Sequence, residues 1–233
     1  MAIKIKSTKD VHTNGIKLVV YGASGAGKTR LGATAPNPIY VSAEKGLLSL
    51  AHLDLPYIEV HNLEDVKAAY KHCASSDYET IVIDSLSEVT TTVLDEWRNK
   101  LIKDSNTGKI DVRQAYGKVA ESMGAEIRKF RDLDGKNVVF IAKEKKITDD
   151  LGNVTGYEAY MPGQVLPFDL PYLVDEFLCL QISRKGERFL QTESDFKRIC
   201  KDRSGQLNNP ERPDLTAIFE KIKKAGAGGK GTT

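Results

Sequence analysis

One eight-residue stretch constrains this chain more than any other. Residues 22–29 read GASGAGKT, which matches the pattern G-x-x-x-x-G-K-[ST] in full, and the apolar run IKLVVYG at 16–22 leads into it. Glycines let a backbone wrap an anion with its N–H groups pointing inward, and a following helix adds its positive N-terminal end. A simple glycine-rich turn would not require a strand before it and a helix after it. The stretch therefore predicts a phosphate-binding loop.

Individual roles follow from this loop. Lys28 is expected to reach the β- and γ-phosphates of a nucleoside triphosphate, and the Thr29 hydroxyl is expected to ligate Mg²⁺. The other residues expected to contact the nucleotide are Gly22, Ala23, Ser24, Gly25, Ala26, Gly27 and Arg30.

Two acidic residues follow apolar runs at the positions where such a loop needs partners. Asp84 ends the run TIVID and is expected to hold the magnesium ion, although it could also be a strand simply meeting its loop. Many ATPases place a catalytic glutamate directly after that aspartate, but here Ser85 follows. Glu44, in PIYVSAEKG, is the alternative base that could orient water; the competing interpretation is a solvated glutamate in a turn.

Hydrophobic patterning predicts an α/β fold with a mostly parallel sheet and helices on both faces. Short β-branched runs predict strands, and helical spacing of apolar residues predicts the segments between them. The predicted strands are 16–22, 38–44, 57–60, 80–85 and 137–143, and the predicted helices are 28–35, 63–75, 86–102 and 112–133.

The last third of the chain has a different pattern. Short strands at 176–183, 187–193 and 197–203 predict an antiparallel C-terminal extension of the sheet, whereas 145–171 is predicted to be a long loop with a hairpin at DDLGN. Glycine and lysine dominate 223–233, which predicts a disordered tail. The expected organisation is an N-terminal segment at 1–14, one domain at 15–222 and that tail.

Composition narrows the function classes only a little. The 233 residues are 40% hydrophobic and carry a net charge of +2, which is typical of a globular domain and leaves any nucleic-acid contact to local patches. No apolar run approaches the ~20 residues that span a bilayer, so no membrane partner is expected. Three widely spaced cysteines favour neither a disulfide framework nor zinc, and a reducing cytoplasm is the expected location.

Taken in order, GASGAGKT, YVSAEKG, IVIDS and VVFIAK resemble the RecA-like P-loop NTPase core. The stretches MPGQVLPFDLPYLVDEFLCL and RFLQTESDFKRICKDRSGQLNNPERPDL resemble phage ATP-binding proteins of the Sak type. That resemblance implies an ATPase that uses ATP and Mg²⁺, is stimulated by single-stranded DNA and acts in phage recombination or annealing. It also implies the cytoplasm of a bacterial host as its location, and makes a single-strand-binding protein a candidate partner.

The resemblance assigns further residues. Glu44 lies where RecA-like proteins keep their catalytic glutamate, and CKDRSG is similar to a helicase segment whose cations reach the γ-phosphate of a neighbouring subunit. Lys201 and Arg203 are therefore expected to act in trans within a ring or filament, unless they belong to a solvated turn. Lys143 replaces the usual γ-phosphate-sensing glutamine, so it could contact phosphate or simply extend into solvent from its strand end.

The same resemblance places nucleic acid on two loops, 103–114 and 144–166. The expected contacts are cations that neutralise phosphates and tyrosines that stack on bases: Lys103, Lys109, Arg113, Lys145, Lys146, Tyr157 and Tyr160. Ordinary surface loops are the competing interpretation. Two other functions stay open: a small-molecule or nucleotide kinase on the same scaffold, and a slowly hydrolysing, nucleotide-dependent adaptor.

Overall fold

The computed structural model describes residues 15–44, 46–105 and 108–227, so the predicted N-terminal segment 1–14 lies outside the described residues. The strands are β1 (Lys17–Gly22), β2 (Pro38–Ser42), β3 (Tyr57–Glu59), β4 (Thr80–Asp84), β5 (Asn137–Thr148), β6 (Val154–Tyr160), β7 (Glu176–Ile182), β8 (Arg188–Gln191) and β9 (Lys201–Asp202). The helices are α1 (Lys28–Gly32), α2 (Leu63–Ser75), α3 (Leu86–Asp104), α4 (Val112–Arg131), α5 (Val165–Leu173) and α6 (Leu215–Ala227), with a short 3-10 helix at Leu47–Leu50.

All nine strands join one sheet, whose main path runs β3-β2-β4-β5-β1-β7-β8. Every neighbouring pair from β3 to β7 along this path is parallel. Strands β8 and β9 pair with β7 in antiparallel fashion, and β6 pairs with the second half of β5. The predicted fold class, a mostly parallel sheet with an antiparallel C-terminal extension, is confirmed.

Helices cover both faces of the sheet. Successive side chains of a strand point to opposite faces, so each buried strand contributes to two clusters. In β1, Val19 and Tyr21 join a buried cluster with apolar residues of α2, α3 and α4. Leu18 and Val20 join the cluster on the other face, which includes Leu31 of α1 and residues of α6. The continuous apolar runs are therefore strands buried on both sides.

The parallel arrangement brings the carboxyl ends of β1, β2 and β4 to one edge, where they lie beside the middle of β5. Gly22 lies opposite Lys143, and Ser42 lies opposite Asp84. Motifs that are far apart in sequence thus end side by side, which is where ligands bind in open α/β sheets.

Three predictions were wrong: the loop at 145–171, the full strand at 197–203 and the disordered tail from residue 223. Residues 145–171 are mostly regular: β5 continues to Thr148, β6 returns as a hairpin, and α5 follows. The expected turn at DDLGN is present, because the Asp149 carboxylate accepts hydrogen bonds from the backbone N–H groups of Leu151 and Asn153. In 197–203 only Lys201–Asp202 forms a strand.

The C-terminal correction has a packing cause. Helix α6 continues to Ala227, so residues 223–227 of the expected disordered tail are helical, and residues 228–233 lie outside the described part of the chain. Leu215, Ile218 and Phe219 are buried, and Ile222 packs against the same cluster. This spacing is that of an amphipathic helix, and burial of its apolar face outweighs the glycine and lysine content of its last turn.

Within the described ranges, no helix combines the length and apolarity that crossing a membrane would require.

Candidate nucleotide-binding site

A cavity of about 620 Å³ opens at the carboxyl edge of the sheet. Seven of the predicted loop residues line it, namely Gly22, Ser24, Gly25, Gly27, Lys28, Thr29 and Arg30, while Ala23 is exposed and Ala26 is buried beside it. Gly25 and Gly27 have φ angles of 78° and 102°, which favour glycine. The backbone between β1 and α1 therefore curls as the motif predicts.

Lys28 bridges the loop from within. Its Nζ donates hydrogen bonds to the carbonyl oxygens of Gly22, at 2.8 Å, and Ala23, at 2.9 Å. Burial lowers the pKa of Lys28, although the carboxylates of Asp84, Glu144 and Glu44 oppose this shift. The ammonium is thus held at the cavity by weak backbone acceptors, which a phosphate can replace.

Asp84 and Thr29 both line the cavity and are hydrogen-bonded to each other. Burial raises the pKa of Asp84, and the nearby Glu44 carboxylate adds to this shift, whereas a hydrogen bond with Thr29 and the charge of Lys28 oppose it. A carboxylate and a hydroxyl are ligands that Mg²⁺ prefers, and a cation would compensate a charge that burial disfavours. These two residues therefore fit a magnesium ion.

Glu44 belongs to a closed network of four residues. The Ser85 hydroxyl donates to Glu44 Oε1 at 2.7 Å, and Lys143 Nζ lies 3.3 Å from the same oxygen. Lys143 also forms an ion pair with Glu88, whose backbone N–H donates to the Ser85 hydroxyl oxygen at 3.3 Å. This network brings Glu44 and Lys143, both predicted from sequence, to the cavity.

The charge of Lys143 is stabilised in this network. Partial burial lowers the pKa of Lys143, but its hydrogen bond with Glu88 and the charge of Glu44 outweigh that effect, so the pKa is raised. Lys143 is thus a protonated cation beside the cavity, as a residue contacting phosphate would be. It is also engaged by two carboxylates, so phosphate would have to compete for it.

Three residues at this site were missed by sequence reasoning. Arg188 of β8 lines the cavity and donates from Nε to the Ala26 carbonyl oxygen at 2.9 Å; nothing in its local sequence indicates this, because only the sheet order brings β8 beside the loop. Glu144 also lines the cavity, one residue after Lys143. Glu88 had a usable signal, since SLSE at 85–88 matches the Ser-x-x-Glu pattern of a helix start.

Lys201 and Arg203 lie away from this cavity. They flank Asp202, which pairs with Glu176 at the amino end of β7, whereas the phosphate loop follows the carboxyl end of β1. Lys201 Nζ donates to the carbonyl oxygens of Pro171 and Val174, and Arg203 pairs with Asp175 at 3.2 Å. Neither residue lines the cavity of its own chain, so a role in catalysis would require a neighbouring subunit.

The predicted nucleic-acid contacts fall into two groups. Lys103 is in the last turn of α3, Lys109 lies before α4, and Arg113 is in the first turn of α4, while residues 106–107 lie outside the described residues. The second group occupies the β5–β6 hairpin: Lys145, Lys146, Tyr157 and Tyr160. In that hairpin Lys145 pairs with Glu158 at 3.0 Å, and Tyr157 has the Arg198 guanidinium 4.0 Å from its ring centroid.

Comparison with protein families identifies the class. A family model described as an AAA domain matches residues 14–204, which is most of the chain. This chain belongs to the AAA domain family. It is therefore an AAA-type P-loop protein of the nucleotide-binding ATPase class, in agreement with the loop, the buried aspartate and the sheet order. No curated protein matches the AAA domain chain closely enough to count as a relative.

Proposed function

We propose that this AAA domain protein is a Mg²⁺-dependent ATPase of the RecA-like, Sak-type kind, which acts on single-stranded DNA in phage recombination or annealing. The observation that carries the ATPase part is the convergence of three strand ends and the middle of β5 on one cavity. They bring together the phosphate loop, Glu44, Asp84 and Lys143, which four separate sequence segments contribute.

In this proposal each residue has one task. The amides of residues 22–28 and the Lys28 ammonium bind the phosphates, and Thr29 and Asp84 hold the metal. When bound, Mg²⁺ neutralises charge on the phosphate oxygens. Glu44 orients a water molecule towards the terminal phosphate, with its carboxylate positioned by Ser85 and Lys143.

The ATPase proposal is tested by titrating the protein with a fluorescent ATP analogue in magnesium buffer. We expect saturable binding that Lys28→Ala weakens at least about a hundredfold, because both a charge and a loop-ordering contact are lost. Lys185→Ala, a change at an exposed lysine in the β7–β8 turn, is the control and should bind normally. Binding that Lys28→Ala leaves undiminished would refute the proposed site.

The DNA-binding part rests on the β5–β6 hairpin, which carries Lys145 and Lys146 on exposed positions of a strand that leaves the nucleotide cavity. Cations on such a hairpin would neutralise DNA phosphates. We expect salt-dependent binding of labelled single-stranded DNA, which Lys145→Ala with Lys146→Ala reduces about tenfold. No binding at low salt would exclude this part and leave the ATPase proposal intact.

The assembly part concerns Arg203, whose side chain is 53% exposed and remote from its own cavity. If it reaches a neighbour's nucleotide, the ATPase rate per subunit should rise with protein concentration. Mixing Arg203→Ala with Lys28→Ala subunits should then restore part of the activity, because some interfaces would combine an intact loop with an intact arginine. If the ATPase rate per subunit does not change with protein concentration and mixing restores no activity, an active site shared between copies is excluded.

One observation favours the adaptor function as the second candidate. Lys143 and Ser85 both contact Glu44 Oε1, so this oxygen would have to exchange one of these partners for the attacking water. Measuring ATPase turnover with and without single-stranded DNA separates the functions. DNA-stimulated turnover supports the recombination ATPase, slow turnover that ignores DNA supports the adaptor, and turnover that depends on an added acceptor would instead indicate a kinase.

A further inference from the structure

Three elements meet immediately behind the nucleotide cavity. Glu144 on β5 lines the cavity, Arg198 lies in the segment before β9, and Tyr157 is on β6 of the hairpin. The Glu144 and Arg198 side chains are only 9% and 18% exposed. These three side chains connect the cavity to the hairpin.

The ion pair in this connection is loosely made. Arg198 Nε lies 3.6 Å from Glu144 Oε2. That Nε is buried and has no hydrogen-bond partner among the described residues. The Cys179 thiol approaches the same carboxylate oxygen at 3.9 Å, which is a weak contact. An ion pair of this length can shorten when the charge around it changes.

The other side of Arg198 is fixed to the hairpin. Its guanidinium carbon lies 4.0 Å from the centroid of the Tyr157 ring, and the Tyr157 backbone N–H donates to the Lys197 carbonyl oxygen at 2.7 Å. The Asp195 carboxylate accepts hydrogen bonds from the backbone N–H groups of Lys197 and Arg198, which fixes the turn that presents the arginine. A movement of the Arg198 guanidinium would therefore change its contact with the Tyr157 ring.

We propose that Arg198 is a positioning residue that transmits the occupancy of the nucleotide cavity to the β5–β6 hairpin, by moving between the ring of Tyr157 and the carboxylate of Glu144. A bound triphosphate places several negative charges beside Glu144. The combined negative potential draws the guanidinium towards the cavity, because the site is largely shielded from water and screening is weak. The arginine then loses its contact with the tyrosine ring.

The expected consequence is local. Losing one cation–π contact of this kind loosens the hairpin next to the Lys197 carbonyl, and the amide of Tyr157 opens more often. This inference rests on the proposed nucleotide binding, but it needs neither hydrolysis nor DNA. It also gives a role to Glu144 and Arg198, neither of which takes part in the proposed hydrolysis.

The test is hydrogen exchange of the amides in β6, measured on the full chain with and without a non-hydrolysable ATP analogue and Mg²⁺. Binding of the analogue is measured separately by fluorescence on each variant, so that loss of binding and loss of transmission are distinguished. In the unaltered protein we expect the Tyr157 region to exchange at least about threefold faster with the analogue bound. Arg198→Gln should bind the analogue and show no such acceleration.

Matched variants separate transmission from general destabilisation. Lys197→Gln removes the neighbouring, exposed cation of the same turn and should keep the response. Tyr157→Phe keeps the ring and should keep the response, whereas Tyr157→Leu should lose it. The proposal is overturned if exchange in β6 is unchanged or slower when the analogue is bound, or if the acceleration survives in Arg198→Gln or in Tyr157→Leu.

Discussion

At the carboxyl edge of the parallel strands the charged side chains line an open cavity, and Lys28 bonds only to carbonyl oxygens of its own loop, whereas at the amino edge charged side chains connect separate segments of the fold. Lys28, Asp84, Glu44 and Lys143 all line the cavity at the first edge. At the second, Lys17 Nζ donates to the carbonyl oxygens of Leu133 and Lys136. The two edges share one sheet but use their charges differently.

At the amino edge, charged side chains hold separate segments of the fold together. Lys201 donates to the Pro171 and Val174 carbonyl oxygens, and the Asp175 carboxylate accepts the backbone N–H of Lys17 as well as Arg203. These bonds connect the end of α5 and the start of β7 to β9 and β1. Lys201 and Arg203 match the spacing of a catalytic motif, but within their own chain both side chains bond to structural partners.

The largest expected effect tests the carboxyl edge. Glu44→Gln keeps the size of the side chain but removes its basicity, so ATP turnover should fall about 100- to 1000-fold while nucleotide affinity changes little. Steady-state kinetics and fluorescent-analogue binding measure the two quantities. Glu59→Gln, at the exposed end of neighbouring β3, is the matched control and should keep full turnover. Equal turnover in both variants would show that Glu44 is not the catalytic base.

The next effect concerns a buried carboxyl at the amino edge. Burial and the charge of Asp202 raise the pKa of Glu176 to about 8, from a usual value of 4.5. Between these values the folded protein holds a proton that the unfolded chain releases, so stability falls as pH rises through this window. We expect a loss of about 2 kcal/mol from pH 6 to pH 8, or roughly 4–8 °C in melting temperature.

The Glu176→Gln variant provides the control for this pH effect, because an amide has no proton to release. Its melting temperature should vary much less between pH 6 and pH 8 than that of the unaltered protein. An equal pH dependence in both proteins would assign the effect to other groups.

An effect of about the same size is expected for Lys201→Met, which should lower the free energy of unfolding by about 2 kcal/mol because two carbonyl oxygens lose their donor. Arg203→Ala breaks an exposed ion pair and should cost about 1 kcal/mol or less. Chemical denaturation compares the two. If Lys201→Met is fully stable yet inactive, the structural assignment fails and the role in a neighbour's active site gains support.

A modest effect on nucleotide binding is expected at Arg188, which links the antiparallel extension to the phosphate loop through the Ala26 carbonyl. If its guanidinium turns to a bound phosphate, Arg188→Ala should weaken nucleotide binding about tenfold, the value of one charge-assisted hydrogen bond. Arg184→Ala, an exposed change in the adjoining turn, should bind normally. Unchanged affinity in Arg188→Ala would limit this arginine to supporting the loop.

Much of the fold was predictable because its signals are local. The glycine pattern at 22–29 and the apolar runs before Glu44, Asp84 and Lys143 each depend on neighbouring residues only, and the structure brings all of them to one edge. The predicted loop at 145–171 failed for the opposite reason. Proline, glycine and aspartate are turn formers, yet pairing with β5 orders residues 154–160 as a strand.

What the sequence determined by itself is the set of residues that the strands and the glycine loop bring to the cavity, since backbone geometry and hydrophobic periodicity are encoded within a few residues. Only the tertiary structure decided which distant side chains join them. Arg188 reaches the loop through sheet order, and Arg198 reaches Glu144 through the hairpin. Lys201 is directed to carbonyl oxygens 27 and 30 residues earlier in the chain. Such contacts depend on how elements pack across the sheet, and no short stretch of sequence carries that information.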